Sequence, residues 1–192
     1  MIARQIRISG EKMNKRHAII SLILVAAFSA SIASAQEDAS KRPSPAAQAQ
    51  CKFNDGKTVT VDYSSPRVKG RKVFGELVPY GQVWRTGANE ATTFVTDANL
   101  VVGSKDVPAG NYTIFTVPKE DKWTLIINKK TGEWGIPYKY ESDELARTDM
   151  TVSKAPTMME NFTISFDQNG SSCKMNMSWE NTRASVEIKE KK

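Results

Sequence analysis

Phe162-Thr163-Ile164-Ser165-Phe166-Asp167 and, past the turn signal Gln168-Asn169-Gly170, Cys173-Lys174-Met175-Asn176-Met177-Ser178-Trp179 alternate apolar and polar side chains residue by residue. Successive side chains of a strand point to opposite faces, so a period of two builds a ribbon with one face for a core and one for water. Ala184, Val186 and Ile188 repeat the pattern against Arg183, Ser185 and Glu187. Upstream, Val59, Val61 and Tyr63 alternate with Thr58, Thr60 and Asp62, and Trp123, Leu125 and Ile127 alternate with Thr124 and Asn128, although Ile126 breaks the polar face. Asn54-Asp55-Gly56, Pro108-Ala109-Gly110 and Lys130-Thr131-Gly132 are turn signals between these runs. Residues 141–147 suit one short helix; no long helical period and no internal repeat appear. Strands at this spacing predict an all-β fold, an antiparallel β-sandwich or flattened barrel in a single domain.

The N-terminus reads differently. Lys15, Arg16 and His17 precede an apolar run over residues 18–28, and Ala33-Ser34-Ala35 has the small residues of a cleavage site. Residues 1–35 are therefore expected to be a signal peptide, with Met13 as the true start and cleavage after Ala35. The run is shorter than the about 20 residues a membrane span needs, and no transmembrane segment is expected in the mature chain. Residues 36–50, with Pro43 and Pro45, read as a flexible linker, residues 51–189 as the β domain and residues 190–192 as a tail. The presequence carries five of the 27 basic and one of the 21 acidic residues, so the net charge falls from +6 to +2 on cleavage. That balance gives little support to nucleic-acid binding.

His17 is the only histidine and lies in the presequence. The mature chain then lacks the common general base and metal ligand, which excludes a Ser-His-Asp triad. No cofactor or metal is expected, since two thiolates without histidine make a poor zinc set. In an oxidising compartment Cys51 and Cys173 are expected to form a disulfide. Lys130-Thr131-Gly132 matches a β-lactamase motif, but Ser171-Ser172-Cys173-Lys174 follows it and lies on a strand, so the triplet reads as a turn.

Residues 63–93 depart from alternation, mixing Gly and Pro with Arg, Trp, Asn and Glu. Loops of this kind carry polar groups on a fixed scaffold. Arg67, Lys69, Arg71 and Arg85 are candidate donors to an anion, Trp84 a candidate contact face, and Asn89 and Glu90 candidate partners for hydroxyls. The competing reading makes Arg85 and Glu90 an ion pair that pins the loop, with Trp84 in the core. Adjacent Trp84 and Arg85 would face opposite ways on a strand. Trp134-Gly135-Ile136-Pro137-Tyr138-Lys139-Tyr140 is a second aromatic loop, able to stack on sugars or to cover an open edge of the fold.

Tyr63-Ser64-Ser65-Pro66-Arg67-Val68-Lys69-Gly70-Arg71, then Val78-Pro79-Tyr80-Gly81-Gln82-Val83-Trp84-Arg85-Thr86-Gly87-Ala88-Asn89-Glu90-Ala91-Thr92, resemble a family of exported bacterial proteins, domain of unknown function 2911. Residues 108–116, 123–128 and 179–184 are similar to it as well. The resemblance covers nearly the whole mature domain and implies a periplasmic or extracellular protein. It brings no reaction and no site residues. The function expected is a non-enzymatic binding or interaction module of the bacterial envelope, whose partner is an anionic or carbohydrate ligand or another protein. The alternative is a carboxylate-dependent hydrolase or lyase acting on envelope polysaccharide, with Glu76, Glu90, Glu133 and Asp149 as candidates.

Overall fold

The computed structural model describes residues 42–191. The signal-peptide reading lies outside the described residues. Within them are nine strands: β1 (Ala46–Lys52), β2 (Thr58–Ser64), β3 (Thr93–Thr96), β4 (Leu100–Val102), β5 (Lys105–Val107), β6 (Gly110–Val117), β7 (Lys122–Asn128), β8 (Glu144–Asn169) and β9 (Ser172–Glu190). All pairings are antiparallel, and the strands form one sheet in the order β1-β2-β3-β6-β7-β8-β9-β4-β5. The sheet is not closed; it bends around one core as a flattened barrel.

The alternating residues behave as their period requires. Val59, Val61, Trp123, Leu125, Ile127, Phe162, Ile164, Cys173, Met175, Met177 and Trp179 all enter the core. β9 joins two runs that the sequence separates. Core residues fall on odd numbers as far as Trp179 and on even numbers from Ala184, and the phase slip coincides with a bend at Glu180, whose φ is 54°. The bend turns the polar faces of the two halves toward each other. Asn176 and Ser178 are consequently buried, Ser185 Oγ donating to Asn176 Oδ1 (2.8 Å) and Arg183 Nε to Ser178 Oγ (3.2 Å). A strand that bends in this way contributes to both layers of a sandwich.

β8 bends with it: its pairing to β9 shifts register between Lys154 and Met159 and again between Met159 and Thr163. The outer arm of the β8–β9 hairpin then lies over the start of the sheet. Ile164 N donates to Tyr63 Oη (3.0 Å), Ser65 Oγ to the Phe162 carbonyl (2.6 Å) and Phe162 N to the Pro66 carbonyl (2.9 Å). The Cys51–Cys173 disulfide ties the same two regions, β1 and β9, across 122 residues.

Two expectations change. β1 begins at Ala46, so residues 46–50 of the expected linker are strand rather than tether. Ala47 and Ala49 pack half-buried against the core, while Gln48 bonds Asp62 (2.7 Å) and Gln50 bonds Thr60 (3.1 Å). Small apolar residues alternating with glutamine form a strand whose hydropathy contrast is too low to read. The short helix expected over residues 141–147 is a single 3-10 turn, Glu141–Asp143. β8 starts immediately after it, because Ala146, Thr148 and Met150 bury one face against the sheet.

Candidate functional site

Between β2 and β3 residues 65–92 cross the barrel without a regular strand, yet the segment is fixed by its own apolar side chains. Val68, Val73, Phe74, Val78 and Trp84 are all buried. Trp84 pairs its backbone with Thr116 of β6 (2.7 and 2.9 Å) and sends its ring inward. There it stacks on Trp179 (5.8 Å, 18°) and meets Phe162, Phe74 and Trp123 edge-on, the geometry that ring quadrupoles favour. The Trp84 indole donates to the Gly87 carbonyl (3.0 Å).

Past Trp84 the chain makes a tight, strained turn. Thr86 is fully buried at φ 56° and Asn89 also has φ 56°. A β-branched residue in the left-handed region is a genuine outlier, held only where its surroundings over-determine it. Thr86 Oγ1 meets Thr116 Oγ1 (3.2 Å), and its carbonyl accepts from Thr92 Oγ1 (2.8 Å). Next to it, a Cβ on Gly87 would come within 3.0 Å of both the Ser64 carbonyl and Thr92 Oγ1. Asn89 Nδ2 donates to the Ser44 carbonyl (3.1 Å).

Arg85 points away from the core and does not pair with Glu90. It donates to the backbone carbonyls of Asn89 and Trp134. Glu90 instead takes both oxygens to Arg42 Nη1 (2.9 and 3.1 Å). The expected Arg85–Glu90 ion pair is thus replaced by two separate interactions, because the turn aims Arg85 across the loop and Glu90 toward the segment that enters the domain. Burial works against the Arg85 charge. The Glu90 carboxyl lies below its ordinary range, first through a backbone N–H bond and then through Arg42.

The second wall is the loop after β7. Phe115, Ile126 and Ala91 form a small cluster on the outer face of the sheet, and Tyr138 and Tyr140 cover it. Ile126, which broke the polar alternation, is the buried centre of this cluster. Tyr138 meets Phe115 edge-on (4.8 Å, 73°) and donates to Glu144 Oε1 (2.6 Å), which Arg147 holds from the other side (2.6 and 2.7 Å). Burial first, and then Glu144, push the Tyr138 hydroxyl up. Fully buried Asn128 closes the network on Tyr138 Oη (3.2 Å) and the Tyr140 carbonyl (2.7 Å). Gly135 allows the loop to lie close: at φ 90°, its Cβ would be 2.8 Å from Ala91 Cβ and 3.4 Å from Arg85 Cβ. Trp134 is left outside, 56% exposed, with the Arg85 guanidinium 5.1 Å from its ring centre.

A cleft of about 470 Å³ opens between the walls. Arg71, Trp84, Arg85 and Asn89 line it, joined by Trp134, Ile136, Leu77 and Gln82. Arg67, Lys69 and Glu90 are not among its lining. Arg67 is occupied by the carbonyl and hydroxyl of Ser65 (3.0 and 2.8 Å), and Lys69 is an exposed turn residue at φ 49° whose N–H bonds Glu160 (2.9 Å). In the sequence Trp134 and Ile136 belong to a separate loop. No spacing could have joined residue 134 to residue 85, since the pairing of β6 with β7 and the Ala91 N–Glu133 carbonyl bond (3.1 Å) bring them together. Among the described residues no carboxylate lines the cleft. Glu76, Glu90, Glu133 and Asp149 are each taken up by a basic neighbour, Lys72, Arg42, Lys130 and Lys122. No group of three metal-ligating side chains, and no helix long and apolar enough to cross a membrane, occurs among the described residues.

Fold and cleft together define a class: a disulfide-tied, all-β domain whose long loops build a concave, arginine- and aromatic-lined surface. A family model described as "Protein of unknown function (DUF2911)" matches residues 44–188, and the chain belongs to that family. No curated protein and no solved structure matches it.

Proposed function

We propose that the chain is an exported bacterial envelope protein that works without catalysis, as a binding or interaction module, with the cleft as its recognition surface. One observation carries this reading: two arginines and an exposed indole from two distant loops line one cleft that holds, among the described residues, no carboxylate. Arginine offers a planar fork of donors to an anion or to sugar hydroxyls, and an indole adds flat contact area. Among the described residues the cleft has no paired carboxylates of the kind most glycan hydrolysis uses. Export, to the periplasm or beyond the cell, is supported by the presequence pattern of residues 13–35 and by a disulfide of the kind that persists in oxidising compartments.

The test is co-sedimentation of the purified protein with isolated sacculi, anionic envelope polymers and envelope vesicles. Arg71→Gln with Arg85→Gln, and separately Trp134→Ala, are compared with wild type. Binding to one fraction that drops in both variants supports the reading. Binding that is unchanged in both removes the cleft from the function.

A further inference from the structure

We infer that the cleft takes a small organic monoanion, a carboxylate attached to a flat apolar ring, with the carboxylate held by Arg85 and Arg71 and the ring laid against Trp134. This deepens the binding reading above and rests on it.

The charge argument comes first. Arg85 spends one nitrogen, Nη1, on the Asn89 and Trp134 carbonyls; among the described residues Nε and Nη2 meet no acceptor. Arg71 spends Nε on the Val68 carbonyl and Nη2 on the Arg67 carbonyl, which leaves Nη1. These carbonyl bonds hold the two guanidinium groups in place without neutralising them. Arg85 is part-buried and Arg71 exposed; among the described residues neither is hydrogen-bonded to a carboxylate, and Glu90, which acts on Arg85 through charge alone, is already held by Arg42. Such cations favour an anion, and a planar fork with paired free donors matches a carboxylate.

The apolar part of the lining then selects among anions. Leu77, Val78, Pro79, Val83 and Ile136 supply the rest of the wall. Stripping water from a doubly charged phosphate against such a surface costs far more than stripping it from a single carboxylate attached to an apolar body. Trp134 supplies the place for that body. The Arg85 guanidinium lies 5.1 Å from the indole centre and the residue as a whole remains 56% exposed, so a ligand ring meets the open part of the indole beside the guanidinium. The cavity volume is within the range of small-molecule sites, roughly 300–1,000 Å³.

The walls are also preorganised, which lowers the cost of binding. The left-handed turn at Thr86 and Asn89 fixes Arg85, and Gly135 packed on Ala91 fixes Trp134.

The experiment titrates the purified protein with naphthalene-2-carboxylate, its neutral carboxamide and inorganic phosphate, read by calorimetry and tryptophan fluorescence. The acid is expected to bind one-to-one and saturably, with the amide and phosphate about tenfold weaker or worse. Arg85→Gln and Trp134→Ala should each weaken the acid by about tenfold. Lys122→Gln, on the surface beside Asp149, should leave it unchanged. Trp134 is exposed, so Trp134→Ala keeps the fold, and an unchanged melting temperature verifies this. Equal binding of acid and amide, phosphate binding as tight as the acid, no saturable binding, or full affinity in both cleft variants would each overturn the inference. If the acid fails while cleft-dependent binding to an envelope fraction persists, only the ligand class falls; if both fail, the cleft reading falls with it.

Discussion

Arg85 shows how a single side chain is assigned by its surroundings. Its neighbours in sequence offer Glu90 as a counter-ion, but the left-handed residues Thr86 and Asn89 turn the backbone so that the guanidinium meets carbonyl oxygens and the Glu90 carboxylate meets Arg42. Arg85→Ala should therefore cost about 1–2 kcal/mol, the scale of hydrogen bonds to a charged donor that is partly exposed. Glu90→Gln should cost less than about 0.5 kcal/mol, since its partner is an exposed arginine. A double-mutant cycle by urea denaturation is expected to give coupling below about 0.5 kcal/mol. Coupling of a few kcal/mol would restore the direct ion pair. Trp84 was legible as either core or contact face, and its neighbour resolves the choice: Arg85 faces outward, so Trp84 faces the aromatic cluster.

At the scale of elements, the aromatic loop after β7 is held by one network, Asn128–Tyr138–Glu144–Arg147. Arg147, followed by the Tyr138 hydroxyl, keeps the Glu144 carboxyl below its ordinary range. A carboxyl depressed in the folded state contributes stability above its unfolded value and loses it as pH falls through the folded value. Glu144→Gln should accordingly lower stability by about 1–2 kcal/mol at neutral pH. The difference from wild type should shrink as the pH drops below the ordinary carboxylate range, followed by thermal melts across pH. A difference that stayed constant into strong acid would show that the lost packing of Glu144, not its charge, matters. The network was not legible in advance. Tyr138 and Tyr140 read as surface stacking groups, and the one sign of a second buried face was Ile126 out of phase on its strand.

For the whole molecule, the long β8–β9 hairpin and the disulfide close what the sheet leaves open. β1 is an edge strand, paired only with β2, and Cys173 fastens it to the hairpin arm that lies above it. Reducing Cys51–Cys173 should cost about 2–5 kcal/mol, measured by denaturant unfolding with and without reductant. A loss under about 0.5 kcal/mol would mean that packing around Tyr63, Phe162 and Ile164 closes the barrel unaided. The same closure positions the cleft, because Trp84 leans on Trp179 of the hairpin and the turn that follows carries Arg85.

What the sequence by itself determined was the all-β class, the core faces of the major strands, the disulfide partners and the segment dense in candidate ligand groups. Each of these is a local property: a period of two, a pair of cysteines, a composition. Tertiary structure alone decided that β9 is one bent strand, that residues 46–50 belong to the sheet, and that Arg71 and Arg85 share a cleft with Trp134 while Arg67, Lys69 and Glu90 do not line it. Those outcomes depend on which strands pair and where they bend. Pairing is set by the summed burial of side chains far apart in the chain, which no local window contains.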